Sequence, residues 1–197
     1  MSKAVNHLRA ADPVLAGIID RVGPFRLQTT EASFHGLARS IVYQQLSGKA
    51  AGTIFGRLTT ASCDPLRAEH VLRLTGEELR ACGLSKQKMG YLLDLAGRTA
   101  SGDLDFAALH SLSDEEVIAR LTAVKGVGVW TAHMYLIFAL GRPDVLPVGD
   151  LGICNAMRKA FRLRKLTPQR MEKIAAKWRP WRSVASWYLW RSLELEE

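Results

Sequence analysis

A single aspartate, Asp150, lies where a carboxylate could take part in catalysis. It follows two closely spaced glycines, Gly126 and Gly128, and it precedes a helix predicted over Leu151–Phe161. An aspartate directly before a helix is commonly an N-cap, and its type and position alone favour that interpretation. The partial positive charge of a helix N-terminus also stabilises a carboxylate anion. Such a group suits a base or an electrostatic stabiliser rather than a proton donor.

The elements before Asp150 predict a helix–hairpin–helix. An apolar-periodic run from about Glu115 ends at Val124, and the helical pattern resumes over Trp130–Leu140 after Lys125-Gly126-Val127-Gly128. Glycine permits a positive φ and a close backbone approach, and we expect both hairpin glycines to be needed for these reasons. The first N–H groups of the second helix would point out of the hairpin towards an anion such as phosphate. An ordinary turn between helices stays an alternative, because Gly-x-Gly marks such turns as well.

The remaining sequence predicts an all-α protein. Helix starts are expected at Asp12-Pro13, Thr30, Ser47, Asp64-Pro65 and Ser85, at the capping boxes Thr75-x-x-Glu78 and Ser113-x-x-Glu116, and at Leu151, Pro168 and Trp181. Most of these starts carry the capping residue or proline that is typical of a helix N-terminus. After Ser85, the predicted inward side chains are Met89, Leu92, Leu93 and Ala96. The only strand-like piece, Val145–Val148, is too short to build a sheet.

Composition narrows the class of protein and its partners. The 197 residues are 48% hydrophobic and 23% charged, as in globular proteins, and their formal net charge of +8 favours polyanions, nucleic acid above all. Three scattered cysteines without a CxxC pair exclude a cysteine zinc site or iron–sulfur cluster and fit a reducing compartment. Neither a signal core nor a membrane-spanning run is found, so we expect a cytoplasmic protein, nucleoid-associated if bacterial.

Four blocks of sequence together resemble the helix–hairpin–helix (HhH-GPD) superfamily of DNA glycosylases, most of all its AlkA-type 3-methyladenine branch. In chain order they are Ile41–Ala51, Lys125–Ala132, Leu146–Gly152 and Trp178–Arg182. The resemblance implies two helical lobes with a DNA-binding cleft between them. One lobe would cover about residues 32–142, and the other would unite residues 1–31 with 143–197. We expect the compact form of the family, without the N-terminal α+β domain of AlkA.

The same resemblance implies hydrolysis of the N-glycosidic bond between a damaged base and deoxyribose. Asp150 takes the place of the family's catalytic carboxylate, where it would stabilise an oxocarbenium-like transition state or orient the attacking water. Trp130 and Trp190 match base-pocket positions, and an indole attracts a cationic alkylpurine by about 0.5–2 kcal/mol per contact. Met134 stands where AlkA has an aromatic residue, so the resemblance does not decide which damaged bases are removed.

Further DNA contacts are carried over from the family residue by residue. Gln45, with Leu46 as the alternative, takes the place of the side chain that enters the gap left by an extruded nucleotide. Lys125, Gly126, Val127 and Gly128 would contact the phosphate backbone. Main-chain carbonyls of Thr122, Val124 and Val127 would bind a monovalent cation, Na⁺ or K⁺. Basic residues dominate from Arg158 to Arg182, which is usually a solvated face but could also steer a duplex.

The sequence therefore predicts a monofunctional glycosylase for alkylated purines of the 3-methyladenine and 7-methylguanine type. It would act as a monomer on double-stranded DNA in base excision repair, without a required cofactor. Two alternatives stay open, a bifunctional glycosylase/lyase of the same superfamily and a non-catalytic DNA-binding module. The lyases place a lysine two residues after the second hairpin glycine, and Trp130 occupies that position here.

Overall fold

The computed structural model describes residues 2–195, and these residues fold as helices without a strand, so the prediction of an all-α protein is confirmed. The α-helices are α1 Ser2–Ala11, α2 Pro13–Val22, α3 Phe34–Tyr43, α4 Gly48–Ala61, α5 Ala68–Val71, α6 Gly76–Ala81, α7 Lys86–Ala100, α8 Asp114–Thr122, α9 Val129–Phe138, α10 Leu151–Ala160, α11 Pro168–Ala175 and α12 Arg182–Glu194. Two 3₁₀ turns, Ala108–Ser111 and Ala176–Trp178, complete them. The helix α1 was not predicted.

The chain forms two compact units. Unit one contains the residues described within Met1–Thr29 and Leu136–Glu197, and unit two is Thr30–Tyr135. The first boundary lies close to the predicted one at residues 31 and 32. The second lies inside α9, between Tyr135 and Leu136. The boundary implied by the resemblance lies later, after Arg142, beside the helix-ending residues Gly141 and Pro143.

Unit one brings the two ends of the chain together around a shared apolar core. Side chains of α1 and α2 pack with those of α10, α11 and α12 in that core. The predicted cap Asp12 accepts hydrogen bonds from the backbone N–H groups of Val14 and Leu15. Its second oxygen accepts from Trp178 Nε1 at 2.9 Å and pairs with Lys177 at 3.1 Å. A fully buried carboxylate is stable there because its charge is paired and hydrogen-bonded.

The Gly/Pro-rich segment that leads to Asp150 is anchored on the start of α12. The Arg182 guanidinium donates from Nε to Asp144 Oδ1 at 2.7 Å and from a terminal nitrogen to the Asp144 carbonyl at 2.8 Å. Ser183 donates its hydroxyl to the Arg142 carbonyl at 2.6 Å and accepts the Val145 N–H at 2.9 Å. These bonds hold the segment as irregular backbone, and no strand forms at 145–148.

Unit two follows the predicted caps at most helix starts. Ser47 and Ser85 cap α4 and α7, and both capping boxes are present, at α6 and α8. The expected start at Thr30 is wrong, because Ser33 accepts the Gly36 N–H and α3 begins at Phe34.

Two further expectations for unit two are corrected by side-chain contacts. A helix start at Asp64-Pro65 is wrong, since the Leu66 N–H donates to His35 Nδ1 at 2.9 Å and α5 begins only at Ala68. Leu93 is exposed, and Leu95 is buried in its place, beside the predicted inward residues Leu92 and Ala96.

Among the described residues, no helix combines the length and the apolar composition that a membrane span requires.

Candidate active site and nucleic-acid interface

Asp150 is the N-cap of α10, and its carboxylate is held by two N–H donors. Oδ1 accepts from the Ile153 backbone N–H at 2.8 Å and from Trp190 Nε1 at 2.8 Å. The residue is only 8% exposed. The cap that residue type alone favours is therefore confirmed. The same two hydrogen bonds fix the orientation of the nearly buried carboxylate, so capping and catalysis are compatible. The catalytic role of Asp150 stays a prediction.

Trp190 is locked in place by its neighbours in unit one. Its ring stacks on Phe138 with centroids 5.8 Å apart and an interplanar angle of 28°. A Cβ at Gly152 would lie 3.1 Å from Trp190 Cδ1 and 3.1 Å from Asp150 Oδ1, so only glycine lets these two side chains meet without crowding. Trp190, a predicted base-pocket residue, therefore also orients the Asp150 carboxylate through its indole N–H.

The predicted hairpin lies in unit two between α8 and α9, and its two glycines are not equivalent. Gly126 has a φ of +81°, and a Cβ there would lie 2.1 Å from Tyr91 Cδ2. Gly128 does not adopt a positive φ, and a Cβ there would meet nothing within 4 Å. The expectation that both glycines serve the backbone conformation is therefore wrong for Gly128. Open space at Gly128 is compatible with the close approach of another molecule.

Lys125, at the tip of the hairpin, is fixed by Asp94 of α7. Asp94 Oδ2 accepts the Lys125 backbone N–H at 3.0 Å, and Oδ1 lies 3.7 Å from Lys125 Nζ. Burial alone would raise the pKa of Asp94, but the Lys125 N–H and the Arg98 guanidinium outweigh it and lower the pKa below its ordinary value. The Lys125 side chain is largely exposed, so its charge stays accessible to a polyanion.

Exposed apolar side chains mark the start of α9. Trp130 is 49% exposed and Val129 is exposed beside it, although large apolar side chains are usually buried. Trp130 and the half-buried Met134 line a cavity of 870 Å³ in unit two, together with Gly126 and the turn at Gln45 and Leu46. The structure thus brings the hairpin, two of the predicted pocket residues and the predicted wedge to one concave surface of this unit.

The turn of the predicted wedge has an unusual backbone. Gln45 is exposed and has a φ of +57°, a region that a non-glycine residue rarely adopts. Leu46 follows it with 40% exposure. Gln44 reaches back from this turn, and its Nε2 donates to the Gly126 carbonyl at 2.9 Å. Both wedge candidates are therefore accessible, on a turn that is hydrogen-bonded to the hairpin.

Each unit holds part of the predicted site. Asp150 and Trp190 lie in unit one, whereas Trp130, Met134, the wedge turn and the hairpin lie in unit two. Four positioning residues were not predicted from the sequence: Gln44, Tyr91, Phe138 and Gly152. Gly152, two residues after Asp150, was a visible signal for a close approach. The other three act through contacts between residues distant in sequence.

The basic run from Arg158 to Arg182 is partly structural. Arg182 and Arg179 pair with Asp144, and Lys177 pairs with Asp12. Lys177 and Arg179 are themselves exposed, and the other exposed cations of the run are Arg158, Lys159, Arg162, Arg164, Lys165, Arg170 and Lys173. Within residues 2–195, no group of three or more His, Cys, Asp or Glu side chains is arranged to hold a metal ion.

Comparison with known proteins assigns the chain to a family. Residues 38–180 match the HhH-GPD superfamily of base excision DNA repair proteins. The matched segment includes the turn at Gln45, the hairpin and Asp150. The protein therefore belongs to the HhH-GPD superfamily.

Particular members of the family are similar over nearly the whole chain. DNA-3-methyladenine glycosylase 1 of Schizosaccharomyces pombe is 36% identical over 100% of this chain and 90% of its own length. The structure of 3-methyladenine DNA glycosylase from S. pombe in complex with abasic DNA has a TM-score of 0.82 at 37% identity, covering 96% of this chain and 95% of that chain. DNA-3-methyladenine glycosidase from Bacillus halodurans has a TM-score of 0.89 at 36% identity, covering 98% and 91% of the two chains.

Proposed function

We propose that this protein is a monofunctional DNA glycosylase that removes alkylated purines from double-stranded DNA in base excision repair. The observation that carries the proposal is the carboxylate of Asp150, nearly buried and held by the N–H groups of Ile153 and Trp190. Its support from relatives is the full-length similarity to an enzyme named DNA-3-methyladenine glycosylase.

The proposed reaction is hydrolysis of the bond between C1′ of the sugar and the purine nitrogen. The C1′–N bond breaks first, its electron pair leaves with the base, and water then adds to C1′ and loses a proton. Positive charge develops on the sugar, and a fixed carboxylate is complementary to that charge. Asp150 would supply this charge and would orient the water. A purine methylated at N3 or N7 is already cationic and leaves as a neutral base, so one carboxylate suffices.

Base capture would use the concave surface of unit two. Extrusion of a nucleotide costs a few kcal/mol, and a wedge that fills the gap offsets part of this cost. Gln45 or Leu46 would be the wedge, since both are exposed on the turn that lines the cavity. The half-exposed indole of Trp130 would attract a cationic base more strongly than a neutral one. Selectivity would therefore combine this attraction with the leaving-group ability of the damaged base.

The hairpin would hold the phosphate backbone without reading sequence. The first-turn N–H groups of a helix point out of its N-terminus, and α9 begins directly after Gly128. The carbonyls of Thr122, Val124 and Val127 would bind Na⁺ or K⁺, because hard oxygen donors suit such ions. Thr122 is the last residue of α8, where carbonyls point out of the helix end, and the Val124 carbonyl already accepts the Val127 N–H at 3.1 Å. A bound cation would add positive charge beside the phosphate.

The test is base release from methylated duplex DNA, followed by chromatography of the released bases. We expect 3-methyladenine and 7-methylguanine in solution and an unbroken abasic strand. Borohydride should trap no protein–DNA adduct, since an indole nitrogen at Trp130 has no available electron pair for Schiff-base formation. A trapped adduct that is lost in Lys125→Ala would identify a lyase. Binding without any base release would identify a non-catalytic module.

A further inference from the structure

The wedge turn is held from behind by a lysine of α7. Lys88 Nζ donates to the Val42 carbonyl at 2.5 Å and to the Gln44 carbonyl at 2.8 Å. These carbonyls lie at the C-terminal end of α3, where backbone acceptors have no partner within the helix. A cation at a helix C-terminus also interacts favourably with the helix dipole. Lys88 therefore fixes the backbone on both sides of Tyr43, immediately before Gln45.

The same face of α7 holds the hairpin. Residues three apart on a helix share a face, and Lys88, Tyr91 and Asp94 follow this spacing. The Tyr91 ring packs against Gly126, and Asp94 accepts the Lys125 backbone N–H at 3.0 Å. One rigid helix thus sets the position of the wedge turn relative to the hairpin, and both lie in unit two. The Gln44 side chain joins the two turns directly.

Gln45 needs such support because its backbone is strained. A φ of +57° is unfavourable for a glutamine, and an exposed turn has few contacts of its own to stabilise it. Strained backbone persists only where the surrounding structure determines it, and it is frequent at functional sites. Lys88 provides this support through its bond to the carbonyl of Gln44, directly before Gln45, and its second bond to the Val42 carbonyl.

We propose that Lys88 is a positioning residue for nucleotide extrusion, holding the turn at Gln44–Leu46 in the conformation that projects the wedge. The proposal rests on the proposed function, since it requires that this turn enters DNA. We do not assign Lys88 as a phosphate ligand, because the residue is half-buried and its ammonium donates to two backbone carbonyls. Desolvation lowers the pKa of Lys88, which agrees with an ammonium directed into the protein.

The experiment compares Lys88→Met with Lys86→Met. Lys86 is exposed in the first turn of the same helix, so its variant loses the same charge without touching the turn. Binding is measured across salt concentrations for an undamaged duplex and for a duplex with a tetrahydrofuran abasic analogue, alongside single-turnover excision. We expect Lys88→Met to keep the parent affinity and salt slope on undamaged duplex. Its preference for the abasic duplex over the undamaged duplex and its single-turnover excision rate should each fall about tenfold. Lys88→Arg should recover part of both.

Several outcomes would overturn the proposal. Equal losses on undamaged and abasic duplex, with a reduced salt slope, would make Lys88 a phosphate ligand. If the parent excises and prefers the abasic duplex but Lys88→Met matches it, the positioning role alone fails. If the parent neither excises bases nor prefers the abasic duplex, the proposed function fails instead. Should Lys88→Met not fold, Lys88→Gln replaces it, because glutamine is uncharged and too short to hold both the Val42 and Gln44 carbonyls. An unchanged preference for the abasic duplex in that variant would contradict the inference.

Discussion

Alanine at Gly126 is expected to impair folding, whereas alanine at Gly128 is expected to impair DNA binding and leave folding intact. At Gly126, a left-handed backbone costs alanine about 1–2 kcal/mol. The new Cβ would also lie 2.1 Å from the Tyr91 ring, and overpacking of this kind costs about 1–3 kcal/mol more. The free energy of unfolding should fall by about 2–5 kcal/mol in total. For a chain of this size, that lowers Tm by about 4–20 °C.

Gly128→Ala should fold as well as the parent. Its backbone does not adopt a positive φ and its Cβ would meet open space, so the change should alter stability by less than about 1 kcal/mol. The same methyl group would separate the backbone from an approaching phosphate. We expect affinity for undamaged duplex to fall by about tenfold or more, since several backbone contacts depend on that approach.

Thermal unfolding by circular dichroism and duplex binding by fluorescence anisotropy distinguish the two effects. Tyr91→Ala, alone and combined with Gly126→Ala, serves as a control in a double-mutant cycle. Gly126→Ala should cost less stability where the Tyr91 ring is absent, because the clash is removed and only the unfavourable φ remains. A Gly126→Ala variant as stable as the parent would refute the hairpin geometry. A Gly128→Ala variant that binds duplex with parent affinity would refute a phosphate contact at this position.

Two further predictions concern side chains that hold the site. Trp190→Phe keeps an aromatic ring but removes the N–H bonded to Asp150, and it should slow single-turnover excision by about tenfold or more, whereas Trp187→Phe on the same helix should not. Asp94→Asn should lower the free energy of unfolding at pH 7 by about 1–2 kcal/mol. The pKa of Asp94 is lowered in the folded state from its ordinary value of 3.8. Urea titrations should therefore show the full difference in unfolding free energy between parent and variant above pH 3.8, and the difference should vanish as the pH falls through the folded-state pKa.

Local signals predicted much of the fold. The caps Asp12 and Ser47 bond backbone groups within three residues, so the sequence displays both partners of each bond. Competing local signals caused the errors. Thr30 was the predicted cap, but Ser33, three residues later, accepts the Gly36 N–H and begins α3. At Asp64-Pro65, the Leu66 N–H is taken by His35, which is distant in sequence.

The candidate site was only partly predictable for the same reason. Asp150, the hairpin and Trp130 follow from motifs that are contiguous in sequence. The bonds from Trp190 to Asp150 and from Gln44 to Gly126 span 40 and 82 residues, and no local pattern indicates them. A motif can also mislead. The glycine at 128 suggests a backbone conformation that only glycine adopts, but the folded hairpin has no such conformation there and leaves open space for a Cβ.

The most direct test of the central claim is single-turnover excision by Asp150→Asn. Asparagine has nearly the same shape and keeps an oxygen that can accept the Ile153 and Trp190 N–H groups, so the variant should fold and bind methylated duplex like the parent. Only the negative charge is lost, and base release should fall by at least about a hundredfold. Excision within a few-fold of the parent would contradict the account and leave Asp150 as a helix cap alone.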